Sequence, residues 1–256
     1  MLSSDFKTPA ASTLPSTPSF THADLVAPNI VLATGPDAIV APVIDWAEAG
    51  WHPGYCVNGE VQDEWRAYNS IFNNDPNPPR LIGNFPILPL RTKTRGPAYT
   101  LPIPSPPLPP NESPDPDSDS YDILDEIISL FRANAFFRNF EIQGPADRLL
   151  VYGIWFLSDC LQKIKPSATA RDAQKDVTNL ALDLNFAIPG DPGFPLNQMY
   201  EPARDRQDAE LLRQYMSQVR QELAARLLAR VYADDENKPS KWWLSFTKRK
   251  FMGKAL

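Results

Sequence analysis

Gly144-Pro145-Ala146-Asp147-Arg148-Leu149-Leu150-Val151-Tyr152-Gly153-Ile154-Trp155-Phe156-Leu157-Ser158-Asp159-Cys160-Leu161-Gln162-Lys163 is the stretch whose reading decides the fold. Over Ala146 to Lys163, Leu149, Leu150, Tyr152, Ile154, Trp155, Phe156, Leu157, Cys160 and Leu161 cover nearly every face of a helix. A helix that is apolar all round is a buried one. Gly144-Pro145 opens it, Lys163 and Lys165 complement its last carbonyls, and Pro166 stops it. Its most apolar run, Leu149 to Leu157, is about half the length a membrane span needs. It therefore belongs at the centre of a bundle.

Outward from this helix, Ile123, Leu124, Ile127, Ile128, Phe131 and Ala135 recur at spacings of three and four. Asp122, Asp125 and Glu126 occupy the first turns, where carboxylates suit the helix dipole. A shorter helix is expected over about Ala170 to Leu184. Ile188-Pro189-Gly190-Asp191-Pro192-Gly193-Phe194-Pro195 cannot be helical and reads as a structured turn. The longest helix, about Gln207 to Tyr232, aligns Leu212, Tyr215, Met216, Val219, Leu223, Leu227 and Val231. Its other face carries Arg213, Arg220, Arg226 and Arg230, as a solvated surface or a protein contact. Ser240 is expected to cap a short helix holding Trp242, Trp243, Phe246 and Phe251.

The fold class that follows is mainly α: a compact bundle of about five helices around a buried central helix. A short extended segment, Leu81 to Leu90, precedes it; Pro86 and Pro89 cannot donate ladder hydrogen bonds, which argues against a central strand. Between the two lies a proline-rich loop, 99–120, within a stretch holding nine prolines from Pro97 to Pro116. Polyproline II is its expected local form.

The formal charge of −6 is unevenly placed. Residues 1–66 carry 2 basic and 8 acidic side chains, and residues 67–256 carry 23 of each, so the larger region offers no general nucleic-acid-binding surface. The two cysteines, Cys56 and Cys160, make no disulfide framework, which favours a reducing compartment. Residues 1–19, rich in Ser, Thr and Pro, are expected to be disordered and show no charged-then-apolar leader. From Phe20 to Trp46, Ile30-Val31-Leu32 and Val43-Ile44 flank Gly35-Pro36-Asp37 and read as a small hairpin, an α/β-like remnant ahead of the bundle.

Two vocabularies meet at a seam near Ala67. Before it, His22-Ala23-Asp24 is followed, after four intervening residues, by Asn29, and Asp45 stands in Ile44-Asp45-Trp46. Phosphoryl transfer needs a carboxylate base and oxygen ligands for magnesium; Asp24 would be the base, and Asn29 and Asp45 the ligands. With Trp51-His52-Pro53 this pattern resembles the aminoglycoside phosphotransferase-like kinase family over residues 18–66, with Ala23 in place of the usual glycine. The glycine-rich phosphate loop, the ATP-binding lysine and its acidic partner are missing, and positioning is most of this catalysis. Residues 20–66 are therefore expected to be a nonfunctional kinase-like remnant, joined to its neighbour by gene fusion. The alternative is a truncated ATP-dependent phosphotransferase with an appended helical domain. Both histidines lie before the seam, so the helical region has no histidine for a catalytic dyad or a metal site.

After the seam come Ala67-Tyr68-Asn69-Ser70, Leu81-Ile82-Gly83-Asn84, Leu88-Pro89-Leu90-Arg91 and Arg95-Gly96-Pro97-Ala98. Phe131 through Asn139, Ala146-Asp147-Arg148, Ile188 through Asn197, Lys238-Pro239-Ser240-Lys241-Trp242-Trp243 and Lys248 through Met252 complete the series. In this order they resemble the family of subunit 3 of the actin-related protein 2/3 complex, from about Ala67 to Leu256. The resemblance implies a non-enzymatic subunit, without metal or cofactor. It would dock on actin-related protein 3 in a seven-subunit assembly that nucleates a daughter actin filament from the side of a mother filament. It also implies a place in the cytoplasm, at cortical actin structures.

Lys238 to Leu256 holds six basic residues and no acidic one. Lys241, Lys248, Arg249 and Lys250 are therefore candidates to meet an acidic partner surface, or else to complement a helix end. Trp242 and Trp243 are candidate anchors, one packing inward and the other facing a partner. In the proline loop, Pro104-Ser105-Pro106-Pro107 is either part of a solvated spacer or a ligand for an aromatic groove of an SH3-type partner or profilin. The second reading would make the chain an independent adaptor.

Overall fold

The computed structural model describes residues 67–249 and 251–253 in full, and before them the backbone of four short strands. The chain divides into two units, Met1–Trp65 and Arg66–Leu256, at the boundary the composition marks. In the first unit β1 (Ser19–His22) pairs antiparallel with β4 (Ala49–His52), and β2 (Ile30–Leu32) with β3 (Val40–Val43). The pairing of β2 with β3 is the hairpin expected from the two apolar runs.

The second unit begins with a pinned segment. Asn134 exchanges hydrogen bonds with the backbone of Tyr68, accepting from its N–H at 2.8 Å and donating to its carbonyl at 3.0 Å. Ser70 N–H donates to Asp147 Oδ1 at 2.8 Å, Ser70 Oγ to Glu126 Oε2 at 2.6 Å, and Ile71 N–H to Glu126 Oε1 at 2.8 Å. Burial pushes the Glu126 carboxyl above its ordinary value, against the pull of these donors. Buried acceptors without a cation must find N–H and O–H donors, and this stretch of backbone supplies them.

A short hairpin follows, β5 (Arg80–Ile82) and β6 (Phe85–Ile87), where the sequence suggested only an extended segment. Its signal is the two-residue turn Gly83-Asn84, in which Gly83 adopts φ +59° and a Cβ would stand 2.4 Å from the Glu201 carbonyl oxygen. Pro86 lies opposite Leu81, one pair beyond the turn, where antiparallel alternation asks for no N–H toward the partner strand.

Five helices complete the unit: α1 (Ile123–Asn134), α2 (Pro145–Lys163), α3 (Ala170–Leu182), α4 (Arg206–Val231) and α5 (Lys241–Leu244). Asp122 caps α1, Thr169 caps α3 and donates its own N–H in return to Asp172 Oδ2, and Asp205 caps α4, each cap accepting a backbone N–H of the first turn. The central position of α2 is as its apolar girth requires: Leu149 to Leu157 is buried without a break, and α1, α3, α4 and β6 pack around it. Gly153 lets α1 approach closely, since a Cβ there would lie 2.6 Å from Ile127 Cδ1. Cys160 is a buried free thiol, and burial pushes its pKa up. Among the described residues no helix is long and apolar enough to cross a membrane.

Two of the four arginines on this face of α4 are turned into the chain's own interior. Arg220 and Arg226 are 4% and 8% exposed. The Arg220 guanidinium lies 4.6 Å from the Phe156 ring centroid and 4.4 Å from that of Phe186, and donates to the Leu180 carbonyl at 2.8 Å. Arg226 Nη2 donates to Asp122 Oδ2 at 2.7 Å, and Nη1 stands 3.0 Å from Asp125 Oδ1. Arg91 reaches Asp125 from the other side at 2.7 Å. Burial works to raise Asp122, but the Arg226 bond and charge outweigh it and hold that carboxyl below its ordinary value. At Asp125 burial outweighs both arginines and the value rises. Asp122, Asp125 and Glu126 thus tie α1 to distant segments, a larger role than the dipole complement expected of them. Arg213 bonds the Phe186 carbonyl at 2.7 Å, and Arg230 donates to Ser113 Oγ.

The proline-rich loop is anchored at both ends. Leu90 N–H donates to the Tyr99 carbonyl and Leu101 N–H to the Leu90 carbonyl, each at 2.9 Å. At the far end Ser113 Oγ donates to Asp125 at 3.0 Å and accepts from Arg230. The Ser105–Pro106 peptide is cis.

Candidate interaction surface

The C-terminal corner is built on the last turns of α1. Phe131 is fully buried, and the Trp243 ring stacks on it with centroids 5.9 Å apart and planes 24° from parallel. Phe246 meets Phe131 and Phe136 edge-on at 5.8 and 5.7 Å. Such aromatic pairs contribute about 0.5–1.5 kcal/mol beyond the area they bury. Farther on, Phe251 packs edge-on to Phe140 at 5.8 Å, and its carbonyl accepts the Trp155 indole N–H at 3.2 Å. Met252, at φ +54°, donates its N–H to the Phe137 carbonyl at 3.1 Å. The tail is therefore fastened to α2 as well as to α1.

This anchoring corrects two expectations. Ser240 makes no side-chain cap; its carbonyl accepts the Leu244 N–H at 3.1 Å, and its own N–H binds the Val231 carbonyl at 2.8 Å. The helix it opens, Lys241–Leu244, is only four residues long, so Phe246, Lys248, Arg249 and Phe251 all lie beyond it.

Adjacent indoles divide as expected in burial. Trp243 is 7% exposed and belongs to the core, while Trp242 is 61% exposed. Lys241 and Lys248 are exposed beside Trp242 in the chain, and Arg249 is half-buried with its guanidinium 4.7 Å from the Phe136 ring centroid. Lys250, like Asp24, Asn29 and Asp45, lies outside the described residues. Sequence reasoning missed Arg132, which covers the outer face of Trp243 at 4.7 Å. Its Nε has no hydrogen-bond partner among the described residues, and burial lowers its pKa from the ordinary arginine value. The signal was available in Phe131-Arg132-Ala133-Asn134-Ala135-Phe136, where Arg132 follows one ring and Phe136 lies one helical turn on.

The arrangement is an apolar anchor on a rigid aromatic base, edged by Lys241 and Lys248, which make no ion pair among the described residues. Its chemistry is that of a docking face for an acidic protein surface. Among the described residues there is also no cluster of three metal-ligating side chains.

Residues 65–256 match the protein family described as P21-Arc: ARP2/3 complex ARPC3 (21 kDa) subunit. The chain belongs to this family. The actin-related protein 2/3 complex subunit 3 of Saccharomyces cerevisiae is 51% identical over 193 residues, 74% of this chain and 99% of the relative. The subunit 3 of Schizosaccharomyces pombe is 52% identical over 190 residues, again 74% and 99%, and that of Arabidopsis thaliana 37% over 185 residues, 72% and 96%. The family region opens two residues before Ala67, the seam read from composition.

Proposed function

We propose that this chain is a non-catalytic structural subunit of an actin-related protein 2/3 complex, supporting nucleation of branched actin filaments by binding actin-related protein 3. The observation that carries the reading is identity above 50% across 99% of two relatives bearing that subunit's name. The remaining subunits of the complex and actin filaments are its other partners, and the cytoplasmic actin cytoskeleton, at cortical structures, its place of work. Trp242 is the anchor of the contact, with Lys241, Lys248, Arg249 and Lys250 around it; Trp243 and Arg132 hold the base rigid. Rigid presentation lowers the ordering cost of binding. Residues 67–256 form the assembling domain. Residues 20–66 are a kinase-like remnant joined by gene fusion, in which Asp24, Asn29 and Asp45 no longer work.

The test is a C-terminal tag in the source cells, native purification, and mass spectrometry of partners and of the tagged chain. Recovery of the six other subunits is the expected outcome. Their absence, or magnesium-dependent ATP turnover lost in Asp24→Asn, would return the reading to a phosphotransferase. The mass of the tagged chain tells a fused polypeptide from one beginning near Ala67.

A further inference from the structure

From Pro102 to Leu108 no backbone carbonyl accepts a hydrogen bond from a described residue. Tyr99 is 75% exposed, Ile103 63% and Leu108 38%. Exposed apolar side chains on a run of bare carbonyls are costly as a spacer and well suited to being bound. A following proline confines Pro106, Leu108 and Pro109 to extended or polyproline II backbone, so little conformational freedom remains to be lost on binding. The anchors at Tyr99–Leu101 and Ser113 hold this run over a cavity of about 100 Å³ lined by Arg91, Arg226, Arg230, Pro104 and Pro107.

Charge selects among the grooves that read such a run. Between Thr100 and Ser120 there is no basic residue, while Glu112, Asp115, Asp117 and Asp119 follow the prolines directly. A groove with an acidic specificity pocket has nothing to grip there, and a groove with a basic rim has four carboxylates.

We infer that Pro106–Pro110, with the acidic segment after it, is a ligand for an aromatic-lined, basic-rimmed polyproline groove on another protein. The groove's indole and phenol donors bind the free carbonyls of Pro106, Pro107 and Leu108, its rings stack on the prolines, and its rim meets Glu112 and Asp115.

The full chain is titrated by calorimetry against three purified probes: a WW domain and an EVH1 domain, each with a basic rim, and an SH3 domain with an acidic pocket. Saturable binding to a basic-rimmed probe, with Kd below about 1 mM, is expected. Pro107→Ala/Pro109→Ala should weaken it at least about tenfold with Tm unchanged, since both sites are exposed. Asp115→Asn/Asp117→Asn should weaken it several-fold at low salt, an effect fading as the Debye length falls below about 8 Å. No saturation by either basic-rimmed probe, an SH3 domain as the sole binder, or equal binding by the proline variant overturns the inference. Recovery of the six other subunits by the proline variant, as by the unsubstituted chain, keeps this result separate from the subunit reading.

Discussion

The arginine face of α4 and the basic corner after Ser240 look alike in the sequence, as cations set among apolar residues, and the fold treats them in opposite ways. Arg220 and Arg226 are enclosed, one between two phenylalanine rings and the other between two carboxylates. Lys241 and Lys248 stay in solvent beside an exposed indole. A cation whose counter-charge is supplied from within its own chain is architecture. Two lysines and an exposed indole, with no ion pair among the described residues, are what the proposed contact would use. The difference lies in residues remote in sequence: Asp122 is 104 positions from Arg226.

The comparison predicts a hierarchy of effects. Arg226→Ala should be the most damaging to folding, because it strands Asp122 and Asp125 in the interior; about 3–5 kcal/mol should be lost in urea unfolding. A loss under 1 kcal/mol would mean water reaches the carboxylates and the enclosure is incomplete. Trp243→Ala should lower stability by about 3–5 kcal/mol as well, through the cavity it leaves on Phe131. Trp242→Ala should do the reverse, changing stability by less than about 0.5 kcal/mol while costing about 2 kcal/mol, roughly thirtyfold, in affinity for actin-related protein 3. If both tryptophan variants move melting and binding in the same proportion, the division into base and anchor fails.

Asp159 sharpens the enclosed side. Burial pushes its carboxyl from 3.8 to about 6, with the charges of Arg220 and Lys163 pulling the other way. The folded chain therefore holds that proton more tightly than the unfolded one. Its stabilising contribution is complete below pH 3.8 and is lost as pH rises through 6. Asp159→Asn should raise stability at pH 7 by about 1 kcal/mol, allowing for partial exposure, and flatten the pH profile between 4 and 6. The smallest effect is expected of Lys248→Glu: under about 0.5 kcal/mol in stability, with a few-fold weaker, salt-sensitive assembly.

Much of the bundle was legible before any coordinates. An all-round apolar helix has one place to go, and α2 goes there; the apolar spacing places α1 and α4, while the caps Thr169 and Asp205 are seen only in the fold and Ser240, expected as a cap, makes no side-chain bond. What was not legible is which polar faces are covered. Helical periodicity sets Arg220 about 60° round the helix from Leu223 and says nothing of Phe186 or Leu180, which meet it from another part of the chain. The same holds for Glu126, whose donors come from Ser70 and Ile71, beyond the reach of any local pattern. The corner at Trp242 was half legible: adjacent indoles on a short helix must diverge, but only the fold says which is outside.

The pinned segment ahead of the bundle has a further consequence. The amide protons of Ser70 and Ile71 are held by side chains 77 and 55 positions away. Asp147 and Glu126 are buried in the first turns of α2 and α1, so releasing those amides means unpacking the starts of both helices. Their hydrogen–deuterium exchange should therefore keep time with opening of the whole domain, although the segment looks, by sequence, like a peripheral strap.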